Sequence, residues 1–137
     1  LTEHGMDYLS RWVTQLVVVT TNKKHPAFSA GHENLHIIHQ ERLDLPGLLD
    51  TLARDYGVAR LTVQSGGTMN AAFLRAGLLD YVDIVVAPVL IGGVDTPSLI
   101  GGASLSHPEE LSWLGVLRLL ECTPLDDSYI HLRYQAR

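Results

Sequence analysis

The stretch LTVQSGGTMNAAFLRAG, residues 61–77, decides how the chain is read. Its first four residues, 61–64, are short, apolar and partly β-branched, the pattern of a strand. Met69, Ala72, Phe73 and Ala76 then recur at i, i+3, i+4 and i+7, one apolar stripe of a helix that stops at Gly77. Between them stand Ser65, Gly66, Gly67 and Thr68. A tight turn with Thr68 as the helix cap accounts for these four residues. An anion site accounts for them as well: free N–H groups and the positive end of a helix dipole face whatever lies beyond the strand, and bare glycines let a phosphate approach the backbone. The pair is neither a full G-x-G-x-x-G fingerprint nor a Walker loop, since no lysine follows it.

The flanking sequence supplies the frame. Upstream, Leu45, Leu48, Leu49, Leu52, Ala53 and Tyr56 form an uninterrupted helical stripe, with Asp44 as N-cap, Pro46 in the first turn and Gly57 as the left-handed stop. Before it lie two short strands, residues 16–21 and 35–39, separated by a polar loop broken by Pro26 and Gly31. Downstream a further strand is expected over residues 81–91, with Pro88 placed where the strand bends or leaves its ladder. A glycine-rich connection follows, then an apolar strand over residues 116–120. Ile130, Leu132 and Tyr134 alternate with polar residues in a closing strand. Alternating strands and helices across residues 35–91 argue for parallel strands joined by right-handed crossovers. The expected fold is therefore α/β, a mainly parallel central sheet flanked by helices with a C-terminal antiparallel hairpin. Ligands collect beyond the carboxyl ends of strands in such sheets, which is where Gly66 and Gly67 stand.

Composition bounds the function. A chain of 137 residues, 46% of them hydrophobic, can bury one real core and reads as a single domain, residues 1–137. A formal charge of −5 argues against non-specific nucleic-acid binding. The single cysteine, Cys122, excludes an internal disulfide and a cysteine-based zinc site, and points to a cytoplasmic location. No apolar run is long enough to span a bilayer, so no membrane partner is expected. The opening at Leu1 reads as a continuation of something earlier, and the chain is expected to be part of a longer polypeptide.

Three linked motifs carry a resemblance. Residues 65–70 (SGGTMN), 74–80 (LRAGLLD) and 87–93 (APVLIGG) resemble, in that order, the reductase domain of riboflavin biosynthesis, the RibD C-terminal family, which has the dihydrofolate-reductase-like fold. The resemblance implies an NADPH-dependent reductase acting on a phosphorylated ribosylaminopyrimidine, and a homodimer. It implies that Gly66, Gly67 and Thr68 lie against the cofactor's pyrophosphate, that Met69 and Asn70 join them in binding the cofactor, and that Thr20 and Thr21 lie near its adenosine side. Lys23 and Lys24 follow directly, where a cation would favour a 2′-phosphate. Ser65 stands where the family commonly has a substrate-facing glutamate, and the family's first strand, its Asp-Gly segment and the following helix have no counterpart before Leu1. Ser65 also leaves open a dihydrofolate-reductase-like enzyme acting on another heterocycle. The absent N-terminal portion and the apolar residues 116–120 leave open a non-catalytic oligomerisation or binding module.

No catalytic residue is identifiable, because hydride transfer needs positioning rather than a protein nucleophile. His32, His36 and His39 invite a metal; His32 and His36 would share a helix face, but their segment holds Gly31 and the strand-like residues 35–38, and on a strand His36 and His39 point to opposite faces, so no metal is expected. Cys122 reads as a buried structural thiol. Ser65 lacks the G-x-S-x-G elbow of a hydrolase.

Overall fold

The valine-rich run after Gln15 forms a strand, of which only Val18 is buried: β1 (Leu16–Thr20) pairs in parallel with β2 (Leu35–His39), Leu16 opposite Leu35 and Thr20 opposite His39. The computed structural model describes residues 1–137 apart from the side chains of residues 112 and 113. The chain divides into two units, Leu1–Leu48 and Leu49–Arg137.

In the first unit, α1 (Glu3–Ser10) is capped by Thr2, whose side chain accepts from the Gly5 N–H at 3.2 Å. Met6 on this helix is fully buried against Val18 and Ala27, with Leu16, Ala30, Leu35 and Ile37 around them. Strand period two explains the choice: Leu16 and Val18 share a face with their partners Leu35 and Ile37. The turn before β2 is tied to α1 by polar contacts. His32 Nε2 donates to the Asp7 carboxylate at 2.8 Å, and the Asn34 amide donates to the carbonyls of Ser10 and Val13.

The helix α2 (Leu45–Tyr56) has the ends expected of it. Asp44 Oδ1 accepts from the Gly47 N–H at 3.1 Å, and Gly57 takes a left-handed φ of 66°. Asp44→Ala should cost about 1 kcal/mol of stability by chemical denaturation, the ordinary worth of an N-cap.

The second unit departs from expectation. Residues 61–64 join no ladder, and α3 (Gly67–Arg75) begins after Ser65 and Gly66. β3 (Tyr81–Val86), β4 (Leu117–Pro124) and β5 (Ile130–Ala136) then make an antiparallel sheet in the order β3-β5-β4. The mainly parallel sheet is thus corrected: parallel pairing is confined to β1 and β2, because the segment that was to extend it has no backbone partner. Alternating apolar residues cannot specify which edge, if any, a four-residue strand will find. The C-terminal antiparallel hairpin stands as expected. β3 is shorter than the expected 81–91 and ends before Pro88, which has no N–H for a ladder. Cys122 is exposed, which corrects its reading as a buried thiol; it sits on β4, an edge strand most of whose residues are exposed.

The β4–β5 turn closes with the Leu125 N–H donating to the Tyr129 carbonyl at 2.8 Å, and it holds Asp127 and Ser128 at φ values of 56° and 65°. Aspartate tolerates this left-handed region better than serine does. Ser128→Gly should accordingly raise stability by up to about 1 kcal/mol, read as a higher denaturation midpoint with unchanged slope.

Candidate functional site

Gly66 is the N-cap of α3, in extended conformation, and Gly67 is its first helical residue. Thr68 is therefore not the cap, and no side chain caps this helix. The Gly66 carbonyl accepts from the N–H groups of Met69 and Asn70, both at 3.1 Å. Among the described residues, no acceptor is bonded to the N–H groups of Gly67 and Thr68, which belong to the unsatisfied first turn.

The two glycines do different work. A Cβ on Gly66 would meet no neighbouring atom within 4 Å, so that side of the turn is open. A Cβ on Gly67 would stand 2.5 Å from the Ser98 carbonyl oxygen and 2.9 Å from the Gly101 nitrogen. Backbone from the glycine-rich connection, residues 98–103, lies along α3 here. The Gly101 N–H donates to the Gly67 carbonyl at 2.9 Å, Asn70 Nδ2 to the Leu99 carbonyl at 3.0 Å, and the Arg75 guanidinium to the Ala103 carbonyl at 2.8 Å. This strap was not legible as part of the site, although the second glycine pair, Gly101 and Gly102, was its signal. Further along, the N–H groups of Ser106 and His107 bond to Glu110 and hold its carboxyl below the usual carboxylate range.

The buried face of α3 matches the expected stripe only in part. Ala71 and Phe73 are buried, with Asn70 and Leu74 half-buried, whereas Met69 and Ala76 of the expected stripe are exposed. Ser65 precedes the glycines, and its Oγ donates to Asn70 Oδ1 at 2.7 Å.

Ser65 and Asn70 line a cleft of about 960 Å³ inside the second unit. Its lining includes the apolar Phe73, Leu79 and Ile84 and the polar Tyr81, Asp83 and Arg133. The polar residues are ordered by cross-strand contacts: the Arg133 guanidinium lies 5.2 Å from the Tyr81 ring centroid, and His131 Nε2 donates to Asp83 at 2.9 Å. A cleft of this size, mainly apolar with a few convergent polar groups, suits a small heterocyclic ligand.

Thr20 and Thr21 belong to the first unit, at the carboxyl end of β1. Thr20 Oγ1 accepts from the Asn22 N–H at 3.1 Å, and Asn22 Oδ1 accepts from the Lys24 N–H at 2.9 Å, so the following loop is internally organised. Lys23 pairs with Glu41 at 3.2 Å, with both side chains exposed. His39 packs near Phe28, and among the described residues its buried Nε2 has no hydrogen-bond partner. Among the described residues, no group of three or more His, Cys, Asp or Glu is placed to hold a metal ion, and no helix is long and apolar enough to cross a membrane.

Comparison with known proteins adds a lineage to this geometry. The family model for the RibD C-terminal domain matches residues 2–130. The chain is 38% identical over 68 residues to the 2,5-diamino-6-ribosylamino-4(3H)-pyrimidinone 5′-phosphate reductase of Archaeoglobus fulgidus, covering 50% of this chain and 31% of that protein. It is 29% identical over 87 residues to the riboflavin biosynthesis protein RibD of Bacillus amyloliquefaciens, covering 64% of this chain and 23% of that one. The matched part thus spans a third or less of these curated relatives. Among solved structures, Acinetobacter baumannii RibD superposes with a TM-score of 0.67 at 23% identity, over 88% of this chain and 37% of that one. A pyrimidine reductase-like protein from Corynebacterium diphtheriae gives 0.65 at 18% identity, over 88% and 50%. The chain shares the α/β fold of these proteins.

Proposed function

Because the chain belongs to the RibD C-terminal domain family, we propose that it is the reductase part of an NADPH-dependent enzyme of riboflavin biosynthesis, with a dihydrofolate-reductase-like fold. The substrate on this reading is a phosphorylated ribosylaminopyrimidine such as the one named for the archaeal relative. The observation that carries it is the open face at Gly66 beside a helix N-terminus, next to a cleft lined by Ser65 and Asn70.

The residues fit the cofactor on one side only. Pyrophosphate would approach past Gly66, where the backbone is bare, and take hydrogen bonds from the N–H groups of Gly67 and Thr68 with the dipole of α3 behind them. Gly67 itself is closed to a ligand by Ser98 and Gly101. Thr20 and Thr21 would serve the adenosine end. NADPH supplies the hydride. The chain's part is to bind, orient and exclude water: Phe73, Leu79 and Ile84 shield the heterocycle, while Ser65, Asp83 and Arg133 offer polar contacts. The protein works in the cytoplasm as a homodimer of single reductase domains on this reading.

Oxidation of NADPH by the full-length protein, followed with and without the ribosylaminopyrimidine phosphate, tests the proposal. Substrate-dependent oxidation that NADH does not support is the expected result; its absence from correctly folded protein would refute it. Ser65 in place of a carboxylate favours one alternative, a reductase of the same fold acting on another heterocycle. A pterin substrate that outperforms the pyrimidine in the same assay would establish that alternative.

A further inference from the structure

The two partners of Asn70 leave only one direction for the hydrogen bond between it and Ser65. Asn70 spans two partners, the Ser65 hydroxyl at 2.7 Å and the Leu99 carbonyl at 3.0 Å. A backbone carbonyl only accepts, so the amide end facing Leu99 must be the NH₂ group. The opposite orientation would set two oxygens against each other. The carbonyl end of the amide then faces Ser65, and it too only accepts, so the serine hydroxyl must donate its single proton to Asn70. Ser65 is left with lone pairs alone, and among the described residues no other group is bonded to its Oγ. It is exposed and lines the cleft.

We propose that Asn70 is a positioning residue that fixes Ser65 as a hydrogen-bond acceptor, so that the group recognised at Ser65 is a donor: a ring N–H or amino group of the heterocycle, and neither a phosphate nor a carbonyl oxygen. An ionised carboxylate, the residue type the family resemblance leads one to expect at this position, is likewise acceptor-only. Asn70 therefore gives a serine the one-way polarity of a carboxylate without its charge. In this role Asn70 acts through Ser65 and the strap and does not touch the cofactor. The identity of the recognised ligand rests on the reductase reading above; the polarity of Ser65 does not.

Steady-state kinetics of the full-length protein with the ribosylaminopyrimidine phosphate, together with NADPH affinity, test it in Ser65→Ala, Asn70→Ala and the double variant. Each single change should raise KM for the pyrimidine roughly 3- to 10-fold, the worth of one neutral hydrogen bond. NADPH affinity and kcat should stay within about twofold, and the double variant should be no worse than either single one, as expected for residues acting as a unit. Ser65→Glu should abolish the Asn70→Ala defect, because a carboxylate needs no partner to be an acceptor. Additive losses, a loss that appears in NADPH affinity, or failure of that rescue would overturn the proposal. If the unaltered protein turns over no pyrimidine, the reductase reading fails on its own, and the pair is then tested by NMR. The Asn70 side-chain amide resonances must shift in Ser65→Ala; unchanged resonances overturn the proposed polarity.

Discussion

Gly66→Asp should weaken NADPH binding by about two orders of magnitude while leaving thermal unfolding unchanged or slightly improved. The two effects have opposite origins. The new side chain enters space where no neighbouring atom lies within 4 Å, so it displaces nothing. A carboxylate beside a helix N-terminus interacts favourably with the dipole, by roughly 0.3–1 kcal/mol. The same carboxylate would face a phosphate at the place where the two compete for Gly67 and Thr68. Like charges about 4 Å apart near a protein surface repel by roughly 4 kcal/mol before salt screening, and a little over half of that is a hundredfold loss. Gly66→Asn, similar in size but neutral, should lose much less. Calorimetric titration of both variants against NADPH decides the matter, and undiminished affinity in Gly66→Asp would remove the phosphates from this turn.

The neighbouring position should behave in the reverse way. Gly67→Ala places a methyl group 2.5 Å from the Ser98 oxygen and 2.9 Å from the Gly101 nitrogen, both of them backbone atoms that cannot rotate aside. Overpacking of this kind costs about 1–3 kcal/mol, so the variant should unfold several degrees lower with or without cofactor. A Gly67→Ala protein as stable as the parent would mean that the strap is not seated on α3. A substitution at 67 disturbs packing and any phosphate together, and only Gly66 separates the two.

The sequence made legible those features whose cause is local. The stripe and caps of α2 follow from Leu45, Leu48, Asp44 and Gly57 alone, and β1 and β2 follow as strands from two short apolar runs separated by a polar loop, although their parallel pairing with each other was not read from the sequence. The hairpin followed from the alternation at Ile130, Leu132 and Tyr134. Features whose cause lies elsewhere in the chain were not legible. Residues 61–64 have strand composition, but a strand exists only where an edge is offered to it. Cys122 was read from its apolar neighbours, whereas its exposure depends on what covers β4. Gly67 looked like half of a phosphate turn, and its bareness is explained by Ser98 and Gly101, about thirty residues away in sequence. The site followed the same division: Ser65, Gly66 and Asn70 were visible as candidates, but the hydrogen bond between Ser65 and Asn70 and the open space beside Gly66 depend on the folded backbone.

The strap gives a stretch without regular secondary structure the opening behaviour of a helix. Loop amides usually exchange with solvent at a cost near zero, because nothing else must break to release them. Residues 98–103 are tied instead at the start, middle and end of α3, through Gly67, Asn70 and Arg75. The Gly101 amide is released only when these residues lift away from the helix, so it should exchange with deuterium more slowly than an untied loop amide.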